Sequence, residues 1–461
     1  MTTIDQHVQD LSNGLNGELA RLRENESYYD AEHRLKAIGV SVPPEMRALL
    51  AQVGWPRTYL SSIEERASLG GFRMAGSSEA DERLWSWWQA NFLDVKSGPA
   101  HTDALMHGRA YATISSPDED DPFSDPESPV IQVESPLHMY AEIDQRTERV
   151  RRAFRPYVDP AKPGEDRGTL YLPDRNVYLV DGPGGWKVEG EDVHDLGVPL
   201  VVQLTNRYKT TELYGRSEIT PELRSVTDAA ARIMMDMQAA AELMAVPQRL
   251  LFGVAQEALA ANPDDPASVI EAYFARIVAI EDSDAHAMQF AAAELMNFVN
   301  VLQELAKQAA TYTGLPPQYL SFSSENPASA EAIRSSESRL VKKTERFCKL
   351  MGGGWEQVMR VAMLLMDGSI SSEARRMEAI WEDPATPTYA AKADAVSKLV
   401  AGGIIPVERA RIDLGYSEVE REQMRKWDQE NPTSQLSAIL GTGMPKIPSA
   451  MVDSSEKDQA A

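Results

Sequence analysis

Cysteine is almost missing from this chain: Cys348 is the only one among 461 residues. An intramolecular disulfide and a thiolate zinc site are therefore excluded. On an apolar helical face, Cys348 reads as a packed thiol and not as a nucleophile. The short motifs that carry chemistry are missing too. No GxxxxGK[ST] loop is present; Met351-Gly-Gly-Gly-Trp355 lacks the lysine and the hydroxyl and reads as a helix kink or break. HExxH, GxSxG and spaced His/Asp/Cys sets do not occur. His101 and His107 lie six residues apart, share no helical face and read as incidental. Carboxylates are plentiful, but the sequence selects no pair of them, so no catalytic residue, metal or cofactor is expected. Long apolar runs are also absent, and no membrane span is expected. Met1-Thr-Thr-Ile-Asp-Gln-His7 has no basic head before an apolar run, so no secretory leader is expected and the cytoplasm is the expected site of synthesis and action.

Positive charge is in short supply. Lys and Arg number 46 against 70 Asp and Glu, a net charge of −24. Gripping a phosphate backbone requires clustered cations, so tight binding along DNA is not expected. An acidic wall can nevertheless surround a duplex without holding it. The hydrophobic fraction of 43% and charged fraction of 25% belong to an ordinary globular protein, and the length leaves room for roughly two to four domains.

Leu11, Leu15, Leu19 and Leu22 predict an amphipathic helix over residues 1 to about 30. Pro43-Pro44 opens another, Trp55-Pro56 interrupts it, and Gly70-Gly71 ends the face carrying Tyr59 and Ile63. A helix over Glu79 to Asn91 holds Trp85, Trp87 and Trp88, read as core, and another runs from about Pro99 to His107. Between Tyr111 and Val202 the period becomes two, giving strands at Tyr111–Ser115, Val130–Val133, Met139–Ile143, Val150–Tyr157, Thr169–Leu172, Val177–Val180 and Trp186–Val188. Asp181-Gly-Pro-Gly-Gly185 is a hairpin turn, and Asp118 to Asp125 is a solvated acidic loop without the ligand order of a calcium site. Thr220-Pro221 starts a helix of about 25 residues, roughly 37 Å long. Strands follow at Gln248–Val254 and Ile277–Ile280.

The chain's organising stretch is Ala291 to Met366. One helix carries Leu295, Phe298, Leu302, Leu305, Ala309 and Tyr312 as a seam; a second runs from Ala330 through Leu340, Phe347, Trp355 and Leu365. The loop from Gly314 to Ser329 contains Pro316, Pro317 and Pro327 and cannot be helical. So long a connection is unusual without a function. A strand at Met377–Trp381, helices within Tyr389 to about Glu430, and a mobile tail beyond Asn431 complete the reading.

The order of these parts resembles the portal proteins of tailed double-stranded DNA bacteriophages, in the branch that infects actinobacteria. Three passages carry the resemblance. Val198-Pro-Leu-Val-Val-Gln-Leu-Thr-Asn-Arg-Tyr208 precedes Glu212-Leu-Tyr-Gly-Arg-Ser-Glu-Ile-Thr220; the others are Pro327-Ala-Ser-Ala-Glu-Ala-Ile-Arg-Ser-Ser-Glu-Ser-Arg-Leu-Val-Lys-Lys343, and Trp381-Glu-Asp-Pro-Ala-Thr-Pro-Thr388 with Ala401-Gly-Gly-Ile-Ile-Pro406. They cover about Tyr28 to Glu430, without the first 25 residues or the tail. The resemblance implies an α+β portal fold with an α/β wing, long stem helices, a small α/β clip and a helical crown, assembled as a ring. Carried over, 1–27 is an N-terminal arm, 28–218 and 367–388 the wing, 219–245 and 291–312 the stem helices, and 246–290 the clip. Residues 313–329 become the tunnel loop, 330–366 a long helix under the wing, 389–430 the crown and 431–461 a flexible tail. The implied function is the capsid-vertex channel for genome packaging and ejection, usually a dodecamer, in the virion after assembly in the host cytoplasm. Implied partners are the large terminase subunit, the head–tail adaptor, the major capsid and scaffold proteins, and duplex DNA passing without sequence specificity. The competing readings are an oligomeric virion protein, such as a head–tail adaptor, that conducts no DNA, and an enzyme of no nameable class.

In the tunnel loop, Leu315, Gln318, Tyr319, Phe322 and Ser323 are the candidates for facing DNA; the alternative is that Tyr319 and Phe322 pack on the wing. Lys307, Arg334, Arg339, Lys342 and Lys343 are candidate channel or intersubunit charges. With Glu331, Glu337 and Glu345 interleaved, pairing is the expected use of the last four.

Overall fold

The computed structural model describes residues 3–33, 51–77, 79–118, 121–160, 162, 164–182, 185–245, 249–252, 277–280, 295–320, 330–385, 389–416 and 418–430. The chain divides into two compact units, Met1–Pro384 and Ala385–Ala461.

The first unit is α+β. Helix α1 (Ile4–Tyr29) starts where the Thr3 hydroxyl accepts the Gln6 N–H at 3.3 Å. It buries Val8, Leu11, Leu15 and Leu22, while Leu19 is only half-buried. The helices α2 (Trp55–Glu64), α3 (Glu82–Ala90) and α4 (Leu93–His107) follow. α4 starts earlier than the proline at position 99 suggests and runs through it. Gly70-Gly71 does not end a helix but lies in strand β1 (Leu69–Arg73), where Gly71 marks an irregularity in register. That strand pairs antiparallel with the distant β12 (Glu378–Trp381), Phe72 opposite Ala379.

Two antiparallel sheets occupy the region of period two. The first has the order β3-β2-β9, from β2 (Arg109–Ser115), β3 (Val130–Glu134) and β9 (Val201–Thr205). The second is a meander of β4 (Tyr140–Ile143), β5 (Val150–Val158), β6 (Asp166–Tyr171), β7 (Arg175–Gly182) and β8 (Gly185–Val193). Gly182 pairs with Gly185, so the glycine-rich Asp181–Gly185 segment is the β7–β8 hairpin, as its composition suggests. α1 lies on this meander: Val8 and Leu11 share a core with Phe154, Leu170, Val177 and Leu179. Gly14 is required there, because a Cβ would overlap the Tyr140 ring.

The long helices are α5 (Pro221–Ala245), α6 (Met296–Thr313) and α7 (Ala330–Asp367). Between α5 and α6 lies the parallel pair of β10 (Arg249–Phe252) and β11 (Ile277–Ile280). α6 packs on α5, with Leu302 and Leu305 against Ala230, Ala231 and Met235. Its buried line is Ala306, Ala309, Ala310 and Thr313; Tyr312, placed on the seam by the spacing, is 47% exposed. α7 is one helix of 38 residues and does not break at Gly352–Gly354. A Cβ on Gly352 would meet the Trp381 indole nitrogen at 3.0 Å, and one on Gly354 would meet Leu204 Cδ2 at 2.6 Å. These glycines serve close packing against β12 and β9 and do not interrupt the helix.

The main core collects around α7. Trp88 packs edge-on to Trp355 at 4.9 Å between centroids and to Phe72 at 5.7 Å. The tryptophan cluster is therefore core, and Cys348 is buried with it, its thiol pushed up to about 12 by desolvation. The second unit contains α8 (Tyr389–Ala401), α9 (Val407–Leu414) and α10 (Glu418–Glu430). Arg411 of α9 bonds Glu408 on its own helix and Asp428 on α10. The expected helix after Pro43-Pro44 and the tail after Asn431 lie outside the described residues.

Candidate functional site

The α6–loop–α7 region begins with a helix cap. Gly314 adopts φ 78° and returns its N–H to Ala310 O at 2.8 Å, a left-handed residue just past the last turn of α6. The Thr313 hydroxyl donates to Ala309 O at 2.7 Å, and Pro316 fixes an extended backbone before a single 3₁₀ turn over Pro317–Tyr319. Leu315 and Leu320 turn into the core, at 4% and 9% exposure. The first half of the loop is thus seated on the protomer.

Polar bonds add to this seat. Arg66 donates to the Tyr319 hydroxyl at 3.1 Å, and that hydroxyl donates to Glu337 Oε1 at 2.7 Å. Arg66 also lies 3.6 Å from Glu337, and both are largely buried. Burial, then the bond to Glu337, raises the Tyr319 pKa above its ordinary value. Gln318 is exposed and its amide nitrogen lies 3.3 Å from the Ser336 hydroxyl. Arg339 donates to Thr311 O at 3.1 Å, tying α7 back to the end of α6.

One helical turn beyond Arg339, a buried chain of polar groups continues inward. Lys343 Nζ donates to the Tyr59 hydroxyl at 2.7 Å, and Tyr59 donates to Glu218 Oε2 at 2.7 Å. Asn206 holds the other oxygen of Glu218 at 3.1 Å. Burial depresses the Lys343 pKa, opposed by the nearby Glu218 charge, while burial and Glu218 push the Tyr59 pKa well above its ordinary value. This set joins α2, α7 and the segment entering α5.

The ten candidate residues therefore do not form one surface. Lys307 is exposed and pairs with Glu304 at 3.2 Å on its own helix. Lys342 is exposed and pairs with Glu345 at 2.9 Å. Arg339 and Lys343 are engaged within the protomer, as are Leu315 and Tyr319. Arg334 lies in the first turns of α7; its side chain, with Phe322 and Ser323, lies outside the described set. Sequence reasoning did not find Tyr59, Glu218 or Arg66. Their only signal was chemical, since a tyrosine and two ionisable groups near apolar faces must find partners when buried.

Three further features complete the picture. His101 is fully buried and accepts the Trp355 indole N–H at 2.9 Å, so its pKa falls to about 3 by desolvation. Among the described residues, no group of His, Cys, Asp and Glu side chains is arranged to hold a metal ion. A cleft of about 390 Å³ lies between β9, the β4–β5 turn and the glycine stretch of α7.

Three comparisons bear on what such a chain is. The family model described as "Phage portal protein, SPP1 Gp6-like" matches residues 9–435, starting within α1 and so reaching further toward the N-terminus than the three passages do. The "Portal protein" of Mycobacterium phage D29 is 53% identical over 425 residues, 91% of this chain and 87% of the relative. The "Portal protein" of Mycobacterium phage L5 is 52% identical over the same length and the same shares.

Proposed function

Because this chain belongs to the SPP1 Gp6-like family of phage portal proteins, we propose that its copies close into a dodecameric ring at one capsid vertex and that the α6–α7 loop lines the channel through which duplex DNA passes. Portal function is a mechanical role, and no catalytic step is assigned to any residue. The finer division follows the family's parts: residues 28–218 with 367–388 as wing, α5 and α6 as stem helices, 246–290 as clip, 389–430 as crown. In this reading the clip receives the large terminase subunit and later the head–tail adaptor, while capsid and scaffold proteins meet the outer parts. Assembly takes place in the host cytoplasm, and the ring then stays in the virion.

The observation that carries the loop assignment is its anchored root. Gly314 to Leu320 is anchored to α2 and α7 by Leu315, Leu320 and the Arg66–Tyr319–Glu337 bonds. An anchored root fixes the point from which the remaining residues depart. Gln318 is the candidate at the exposed edge of that root, with Phe322 and Ser323 next along the chain, whereas Leu315 and Tyr319 support the root from inside. A channel wall on a chain of −24 charge repels the backbone and leaves DNA no deep site in which to stall.

The test follows from the construction. Removing residues 322–327 while keeping Leu320 is expected to leave rings intact by electron microscopy and to abolish DNA packaging. Packaging at normal yield would remove the loop assignment. Removing 316–326 instead is a poorer experiment, because it deletes the buried Leu320 and the Tyr319 bonds and so costs stability.

A further inference from the structure

We propose that the cleft on the glycine stretch of α7 is the socket of a head-to-tail contact between copies of this chain, and that Phe123 of the neighbouring copy is its plug. The proposal rests on the ring reading above and adds to it which surfaces meet.

The socket has features that no contact within the protomer explains. Gly352 and Gly354 are needed for packing, but a Cβ on Gly353 would meet nothing within 4 Å. A glycine inside a helix costs about 1 kcal/mol relative to alanine, so open space beside it calls for an approaching group. Gln203 lines the same cleft. Its amide nitrogen donates to Thr205 Oγ1 at 2.8 Å and to Leu213 O at 2.9 Å, yet its buried Oε1 has no partner. Arg149 and Lys349 are at the rim, exposed, and neither has an ion-pair partner among the described residues. Two uncompensated cations in one cleft stand out on a molecule of net charge −24.

The plug is complementary to the open glycine and to the rim cations. Phe123 is 95% exposed, the most exposed of the large apolar side chains described. One exposed phenylalanine is unremarkable by itself; its setting is what matters. Asp121 Oδ1 accepts the Phe123 N–H at 3.0 Å, Ser124 N–H bonds Asp121 O at 3.0 Å, and Asp125 Oδ1 accepts the Glu127 N–H at 3.0 Å. The ring is thus presented by an ordered turn, so less entropy remains to be lost on docking. The segment Asp118 to Asp125 carries five carboxylates in eight residues, matching the rim cations Arg149 and Lys349. A cleft of about 390 Å³ lies within the range of roughly 300–1,000 Å³ that encloses compact groups. Plug and socket are different surfaces of one copy, so their union is heterologous, the kind of contact that closes rings.

The test uses the full chain with Cys348→Ala, leaving no native thiol. F123C and G353C proteins are mixed under assembly conditions and mildly oxidised. Both positions are open, so neither substitution threatens the fold. A disulfide-linked pair should form in the mixture and in neither protein alone. F123D should raise the concentration for half-assembly at least about tenfold, and K349E should do so less, with D120K restoring part of the loss. Rings that form normally from F123D without a mixed disulfide would overturn this contact and leave the ring reading standing. Self-linked F123C would place Phe123 at a two-fold contact and also overturn it. A wild-type chain that stays monomeric at every salt concentration would sink both.

Discussion

At the scale of single residues, buried polar groups set the behaviour with pH. His101 is enclosed by Phe347, Trp355 and Trp381, and burial alone lowers its pKa to about 3. The stabilisation of its neutral form is complete above the unfolded pKa near 6.5 and is lost as pH falls toward 3. At pH 5 the loss amounts to about 2 kcal/mol. His101→Gln keeps an acceptor for the Trp355 N–H and removes the titration, so denaturant midpoints between pH 7 and 5 should fall less steeply than in the wild type. Tyr59 is the second case, because it stands between Lys343 and Glu218. Tyr59→Phe leaves both without that hydroxyl and is expected to cost about 1–3 kcal/mol in urea unfolding. Side-chain identity did not foretell these fates. Lys343 looks like a surface group in the sequence and Tyr319 is open between facing DNA and packing, since nothing local records that Tyr59, Glu218 and Arg66 come from distant segments to meet them.

Elements were more legible than residues. The periodicities of α1, α5, α7 and the meander strands are visible in sequence because each buries one face, and a one-sided burden leaves a regular trace. One element was hidden. β1 contains the pair Gly70-Gly71, read as a stop, and becomes a strand only by pairing with β12 about three hundred residues away. Within α7 the expected kink or break at Gly352–Gly354 is absent; the helix is continuous there, and β9 and β12 press on its glycines. The two glycine types separate experimentally. Gly353→Ala should stabilise the protomer by up to ~1 kcal/mol through helix propensity. Gly354→Ala should destabilise it by about 1–3 kcal/mol, since the new Cβ would stand 2.6 Å from Cδ2 of the fully buried Leu204. Thermal melts of the two variants are expected to move in opposite directions.

For the whole molecule, the net charge of −24 is the feature that bears on association. Copies of −24 each repel at long range, and screening shortens that range to about 8 Å at physiological ionic strength. Sedimentation velocity should show assembly increasing as salt rises from about 10 mM toward 150 mM. Rings that form equally well throughout would show that self-repulsion is unimportant. The family was readable from the ordered run of passages, and relatives at 53% and 52% identity agree with it. The individual channel residues were not readable, because a channel acts through shape and charge, and neither demands a fixed residue at a fixed spacing.

The continuity of α7 also gives it a phase. Glu337, Arg339 and Lys343 engage the loop root, the end of α6 and Tyr59, while Trp355 further along engages His101. One inserted residue between Thr344 and Met351 would turn one group against the other by about 100°, and either the loop root or the core would lose its register. Seven inserted residues would nearly restore the angle but slide the groups apart by about 10 Å. The root of the loop is therefore indexed to the core like a gear tooth to its shaft.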